Sequence, residues 1–464
     1  MLSIGESAGR FGRREFLRVG GLGLGGLSLS QMLGSQAVAG GASPLLKDRS
    51  VVFLFMHGGP SQVETFDPKM EAPTEIRSAT GEVQTALPGI TFGGTFPRLA
   101  KLADQFSIVR SFQTGDGRHD IKPIVCKDTF DANLGTLYSR IVGTNRPDNG
   151  MPTNIALFPK AVDPSTMPRI SNFGKFESVG NFGSVYSPFI PGAGGEAQEN
   201  LKLNLPMDRL DDRRSLLKGL DVVKASLEAG SQLAGIDKVR EQAFSTILGG
   251  VANAFDLSKE DAATIARYDT APLMRPEDIS RHWNNYERYV DNGKALGKLM
   301  LMARRLCEAG CGFVTVTTNF VWDMHADVNN ATVEEGMRYM GLPFDHAVSA
   351  FLEDVEARGL SDRILLVCCG EMGRTPKINA RGGRDHWGNL SPLMLAGGGL
   401  QPGQVVGQST RDAAEPLTSP IRIPNLIATI MSSLFDVGTL RLAQGVPPEI
   451  ARAAGDWEPI PGLV

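Results

Sequence analysis

Hydrophobic positions in this chain gather into short unbroken runs, and each run ends in a polar, glycine-rich loop. Val51 to Met56 reads VVFLFM and leads into His57-Gly58-Gly59-Pro60. Gly312 to Thr318 reads GFVTVTT and leads into Trp322-Asp323-Met324-His325. Arg363 to Cys369 reads RILLVCC and leads into Gly370-Glu371-Met372-Gly373-Arg374. Continuous apolar runs of this length, bounded by turn residues, mark strands buried on both faces. Helical periodicity over Leu296 to Ala309 and over Glu334 to Arg358 precedes the second and third runs. Helix, buried strand and polar loop in repetition predict an α/β fold, a mainly parallel sheet sandwiched by helices.

The rest of the chain is arranged around that unit. Leu210 to Arg267 is helical in period and poor in glycine, which predicts a helical insertion over about 206–300 within a single domain of residues 40–464. Residues 69–100 and 143–205 are rich in Gly, Pro, Asn and Thr and read as excursions over the sheet edge. Pro416 to Leu434 reads as a turn followed by a helix, and the last thirty residues as coil packing back on the domain.

Composition narrows the partners. The net charge is −4 and no basic block lies beyond the N-terminus, so nucleic acid is not an expected partner. Five cysteines without C-x-x-C spacing do not make a disulfide framework. Cys368 and Cys369 lie in an apolar run and read as buried small hydrophobes, and Cys307 with Cys311 is the single local pair that could bridge. Arg13-Arg14-Glu15-Phe16-Leu17, a weakly apolar stretch from Val19 to Leu33 and Ala37-Val38-Ala39 together resemble a twin-arginine export signal over residues 1–39. Gly21, Gly23 and Gly26 fit G-x-G-x-x-G, but no strand precedes them, so a dinucleotide site is not expected. Cleavage after Ala39 removes four arginines and two glutamates and takes the net charge to −6. No later run is long enough for a stable membrane span. The expected location is periplasmic or secreted, by the twin-arginine machinery.

Loops at the carboxyl ends of parallel strands are where open α/β sheets bind ligands. Three of the chain's six histidines, His57, His325 and His386, fall in such loops with Asp323, Asp327, Glu371 and Asp385. Imidazole mixed with carboxylate suits Zn²⁺ or Mn²⁺, with Ca²⁺ or Mg²⁺ as the harder alternatives. Arg374, three residues after Glu371, could clamp a tetrahedral oxyanion or pair with Glu371 itself, and Arg384 offers a second guanidinium. His57-Gly58-Gly59-Pro60-Ser61 would suit the oxyanion loop of a serine hydrolase, but the chain lacks a G-x-S-x-G elbow. It also lacks the C-x-P-x-R or S-x-P-x-R segment of ordinary sulfatases.

HGGPSQVETFDPK (57–69), ARRLCEAGCGFVTV (303–316), WDMHAD (322–327), GEMGRTPKIN (370–379), GGRDHWGN (382–389) and LAGGGLQPGQVVG (395–407) resemble, in this order, the bacterial family called domain of unknown function 1501. The resemblance spans nearly all of the mature chain. It implies an alkaline phosphatase-like fold, shared with the sulfatases, in which one or two divalent metals sit at strand ends. On that likeness Asp323 and His325 match later metal ligands, Glu371 stands where an Asp-His pair is usual, and His386 with Asp385 matches the final ligand. The chain departs from the pattern at the end of the first strand, where His57 stands in place of a metal-binding Asp. The nucleophile also departs: Ser61, Ser111 and Thr114 are the candidate hydroxyls, with His119 downstream as a further catalytic candidate.

These readings lead to an exported metal-dependent hydrolase of phosphate or sulfate esters, acting on a small-molecule or glycan ester. The alternatives are a catalytically degenerate exported binding protein with the same fold and, behind it, the serine hydrolase. A twin-arginine receptor reads its two arginines as a unit. Replacing Arg13 and Arg14 together by Lys is therefore expected to hold the precursor in the cytoplasm. Fractionation showing equal periplasmic yield would refute the export signal.

Overall fold

A computed structural model describes residues 45–192 and 251–464. The leader, and the expected helical insertion as far as residue 250, lie outside the described residues. The centre of the fold is a seven-stranded sheet of β1 (Ser50–Phe55), β2 (Phe106–Val109), β3 (Asn154–Leu157), β4 (Phe313–Thr317), β5 (Ile364–Cys369), β6 (Leu393–Gly397) and β7 (Val405–Val406). Their spatial order is β7-β2-β6-β5-β1-β4-β3. β1 pairs in parallel with β4 and β5, Phe55 standing opposite Thr317 on one side and Cys369 on the other. β3 with β4 and β7 with β2 are also parallel, whereas β6 runs antiparallel to both of its neighbours.

The unbroken apolar runs follow from burial on both faces. Along β1, Val52 and Leu54 enter one core cluster while Val51, Phe53 and Phe55 enter the other, because successive strand residues point to opposite faces. Helices α2 (Tyr286–Glu308) and α3 (Val333–Ala357) cover the first face. Helices α1 (Leu134–Val142) and α4 (Ile423–Leu434) cover the second. Cys368 and Cys369 divide between the faces in the same way, and all five cysteines are free. No helix among the described residues is long and apolar enough to cross a membrane.

Three features differ from the sequence expectation. The stretch 143–205 was expected to pass over the sheet edge, yet it supplies the edge strand β3. The last thirty residues form helices Val437–Leu442 and Pro448–Gly455, whose Leu440, Ile450 and Ala454 are buried in the second core. Helix α2 begins at Tyr286, inside the stretch read as insertion, and leads directly towards β4. Its centre carries Gly297, which as a weak helix former obscured the period. A Cβ there would lie 1.6 Å from the Tyr268 carbonyl oxygen, so the glycine allows a close helix crossing.

One buried ion network joins these helices. Arg304 of α2, only 1% exposed, donates Nε to Asp354 Oδ2 of α3 at 2.9 Å and Nη2 to Glu260 Oε2 at 2.7 Å. Removing one member of such a pair leaves a buried charge uncompensated. Arg304→Leu is expected to cost about 3 kcal/mol in denaturant unfolding, the low end of that class, because Arg358 and Arg305 still reach Asp354 and Glu260. A loss below about 1 kcal/mol, the scale of a surface pair, would show that the network does not hold the helices together.

Candidate metal centre

Three parallel strands, β1, β4 and β5, deliver their polar loops to one end of the sheet. His57 to Pro60 follow β1, Asn319 to His325 follow β4, and Gly370 to Arg374 follow β5. Gly58 makes the meeting possible. It has φ +116, and a Cβ there would lie 2.6 Å from the Asp323 backbone nitrogen, so only a glycine turn fits against the Trp322-Asp323 backbone.

A two-stranded hairpin supplies the next element. Gly373-Arg374 pairs antiparallel with His386-Trp387, placing His386 opposite Arg374. The final element is the loop 114–122. Thr114 and Gly115 donate backbone N–H groups to the Gly388 carbonyl, and Lys122 Nζ binds Asp116 Oδ1 at 2.6 Å to close the loop. That loop carries His119.

His119 Nε2, His386 Nε2 and Asp323 Oδ1 form a triangle with edges of 3.0, 3.2 and 3.5 Å. These residues make up the one group among the described residues whose donor atoms are close enough to hold a metal ion. Two imidazole nitrogens 3.0 Å apart must share either a proton or a cation. Tetrahedral bonds of about 2.0–2.1 Å separate neighbouring ligand atoms by about 3.3 Å, so the three edges fit one small divalent ion. Two nitrogens and a carboxylate oxygen suit zinc or manganese. Three protein ligands with an open fourth position are the pattern of a reactive centre rather than a closed structural one. Exposure rises from Asp323 at 4% to His119 at 11% and His386 at 34%, which sets the open side by His386.

The surrounding groups orient the triangle. His119 Nδ1–H donates to Glu371 Oε1 at 2.9 Å, and Glu371 also accepts the Gly58 N–H. A carboxylate behind an imidazole fixes which nitrogen faces the ion. Burial lowers the His119 pKa, but its hydrogen bonds to Asp323 and Glu371 outweigh that and raise it. Burial pushes the Asp323 carboxyl up, yet the Arg374 guanidinium and hydrogen bonds from His119, His325 and His386 hold it well below the usual carboxylate range. Asp323 Oδ2 accepts from His325 Nε2 at 3.0 Å and from Asn330 Nδ2 at 3.2 Å.

The residues singled out in the sequence separate accordingly. Asp323 and His386 come together with His119, which sequence reasoning had offered as a catalytic residue. Its loop follows only the two-residue strand Phe112–Gln113, so no strand-end pattern pointed to it. Glu371 and His325 stand one hydrogen bond behind the triangle. His57 is buried beside Phe55, Phe173, Phe176 and Phe320, and its Nε2 has no partner. Burial drops its pKa to about 4, so it is neutral. Asp385, just before the strand of His386, is exposed and accepts a hydrogen bond from Asn379 Nδ2, so it stands apart from the triangle.

Neither arginine is free to clamp an anion. Arg374, 1% exposed, donates to the carbonyls of Gly58, Gly59 (2.7 Å) and Arg384 (3.2 Å) and to Asp323 Oδ1 (2.5 Å), so its ion pair is with Asp323 rather than Glu371. Arg384 is fully buried on Glu64 Oε1 at 2.8 Å and on the carbonyls of Ile76, Arg77 and Pro376.

The hydroxyls also move away from the roles expected of them. Ser61 Oγ accepts the N–H groups of Val63 and Glu64 and closes its own turn. Ser111 is fully buried against Gly407, on a different loop. Thr114 stands beside Gly388 with its hydroxyl unpartnered. The N–H of Gly58 is bound to Glu371 and that of Gly59 faces the Met56 carbonyl, so the glycine pair offers no oxyanion hole. Arg384→Leu is expected to lower unfolding free energy by about 3–5 kcal/mol by stranding the Glu64 charge. Wild-type stability in that variant would contradict the structural role.

No curated protein matches the chain. Among solved structures, the PsFucS1 sulfatase from Pseudoalteromonas sp. shares 12% identity at a TM-score of 0.34, with 91% of this chain and 72% of that one covered. A Bacteroides thetaiotaomicron protein from a locus for the metabolism of multiple glycosaminoglycans shares 8% at 0.33, with 87% and 75% covered. The phosphonate monoester hydrolase of Agrobacterium radiobacter shares 13% at 0.22, with 78% and 71% covered. Likenesses this loose carry no argument about chemistry. The sequence itself is decisive about kinship: residues 48–440 match the family described as "Protein of unknown function (DUF1501)", and the chain belongs to that family.

Proposed function

We propose that this chain is an exported metal-dependent hydrolase of phosphate or sulfate esters, the class implied by its resemblance to the alkaline phosphatase and sulfatase group. The observation that carries the reading is the triangle of His119, Asp323 and His386 with one side open. A divalent ion bound there supplies Lewis acidity towards an ester oxygen and a nucleophile at neutral pH. Glu371 holds His119 with Nε2 towards the ion, and Arg374 keeps Asp323 ionised. Export rests on Arg13-Arg14 and the Ala37-Val38-Ala39 cleavage pattern.

A second reading, a binding protein of the same fold without turnover, is favoured by the placement of Ser61, Ser111, Arg374 and Arg384, all of which are engaged or buried away from the open side. One experiment separates the two. Purified protein is loaded with zinc, its metal content is measured, and nitrophenyl phosphate and sulfate are offered as esters. Wild type is expected to hold metal and turn over at least one ester. His119→Ala and His386→Ala should stay folded by circular dichroism and lose the metal. They should also lose activity by more than the roughly 10–100-fold typical of changes behind the ligands. Full occupancy in both variants would remove the metal centre, and a loaded, folded wild type without turnover would leave the binding protein.

A further inference from the structure

With Arg374 and Arg384 both engaged, an anion reaching this end of the sheet needs another cation. Arg288, in the first turn of α2, is available. No hydrogen bond or ion pair joins its guanidinium to any described residue, and its Nη1 is buried without a partner. Asp291, the carboxylate whose charge acts on it, is engaged by the Met167 N–H. A half-buried guanidinium with unused donors has lost hydration without gaining a counter-charge, an arrangement that calls for an anion.

The start of α2 is fastened to the loop after β4: Asn285 donates Nδ2 to Asn330 Oδ1 at 2.7 Å, and Asn330 in turn donates to Asp323 Oδ2. Tyr289, next to Arg288, accepts the Ala331 N–H at 3.0 Å. The charge of Arg288 reaches His57, as do those of Glu371, His119 and Asp323. His57 Nε2 is another buried polar atom without a partner.

We infer that the Arg288 guanidinium is the anion-recognition group of this site, its fork of N–H donors taking the non-bridging oxygens of a tetrahedral phosphate or sulfate ester. The inference rests on the ester reading above. It deepens that reading by assigning the negative charge of the substrate to a residue outside the strand-end loops.

The test uses full-length zinc-loaded protein and inorganic phosphate as the probe, with affinity read by titration calorimetry. Hydrogen bonds to a charged group are worth about 1.5–3 kcal/mol, or roughly 10–150-fold in affinity. Arg288→Met is expected to weaken phosphate by that factor with zinc content unchanged and the thermal midpoint not lowered, since no described residue loses a partner. Arg288→Lys keeps the charge without the fork and should fall between, which also covers failure of the Met variant to fold. Phosphate affinity within twofold of wild type in either variant, or no phosphate binding by wild type, overturns the inference. Arg288-dependent phosphate binding in a protein that hydrolyses no ester would uphold the anion site and remove the hydrolase. Ester turnover with phosphate binding indifferent to Arg288 would do the reverse.

Discussion

The buried guanidinium of Arg374 is the constraint on which this end of the molecule depends. It touches the loop after β1 through Gly58 and Gly59, the loop after β4 through Asp323, and the hairpin through Arg384. A charge so deeply desolvated is tolerable only with its donors satisfied, and here they are satisfied by groups from three separate loops. The same contact keeps Asp323 anionic, so holding the loops and preparing the carboxylate are one interaction. Arg384 repeats the device one layer further out, tying the hairpin to Glu64 and to the carbonyls of residues 76 and 77.

Beneath that layer the sheet provides rigidity. β1 lies inside it with parallel neighbours on both sides, so its loop emerges between those of β4 and β5. Both faces of β1 are buried by helices, which leaves the strand ends as the place where polar side chains can gather without breaking the core. The antiparallel β6 follows from the hairpin: after His386-Trp387 the chain turns back and runs down beside β5.

Much of this was legible in the residues, and the gaps have physical causes. Runs such as VVFLFM and RILLVCC announce doubly buried strands because no polar residue interrupts them. The edge strand Asn154–Leu157 escaped notice because it is four residues long and lies in a stretch crowded with turn formers. The start of α2 was hidden by Gly293 and Gly297, retained for close packing rather than for helix propensity. At the site, Asp323 could be found because it follows a strand, and His386 because it stands in a run of Arg, Asp, His and Trp that a plain turn rarely needs. His119 could be suspected but not assigned, since its position depends on the Asp116–Lys122 clasp and on contacts with Gly388. The two arginines were misjudged for a general reason: a sequence displays a charge but not its counter-charge, and Glu64 and Asp323 are far from their partners along the chain. Asp385 stands outside the triangle because it is held by Asn379 at the surface, a contact that a motif read as a string cannot convey.

The triangle joins residues distant in sequence, His119 and His386 being 267 positions apart and Arg374 reaching back 315 to Gly59. Closing loops of that size yields no return until the core strands are paired, so contacts of this kind form late. During synthesis the emerging chain therefore carries separate, weak ligands until the hairpin at 386 has left the ribosome. A cation held by the triangle would then be captured by an almost finished domain, fold first and load second.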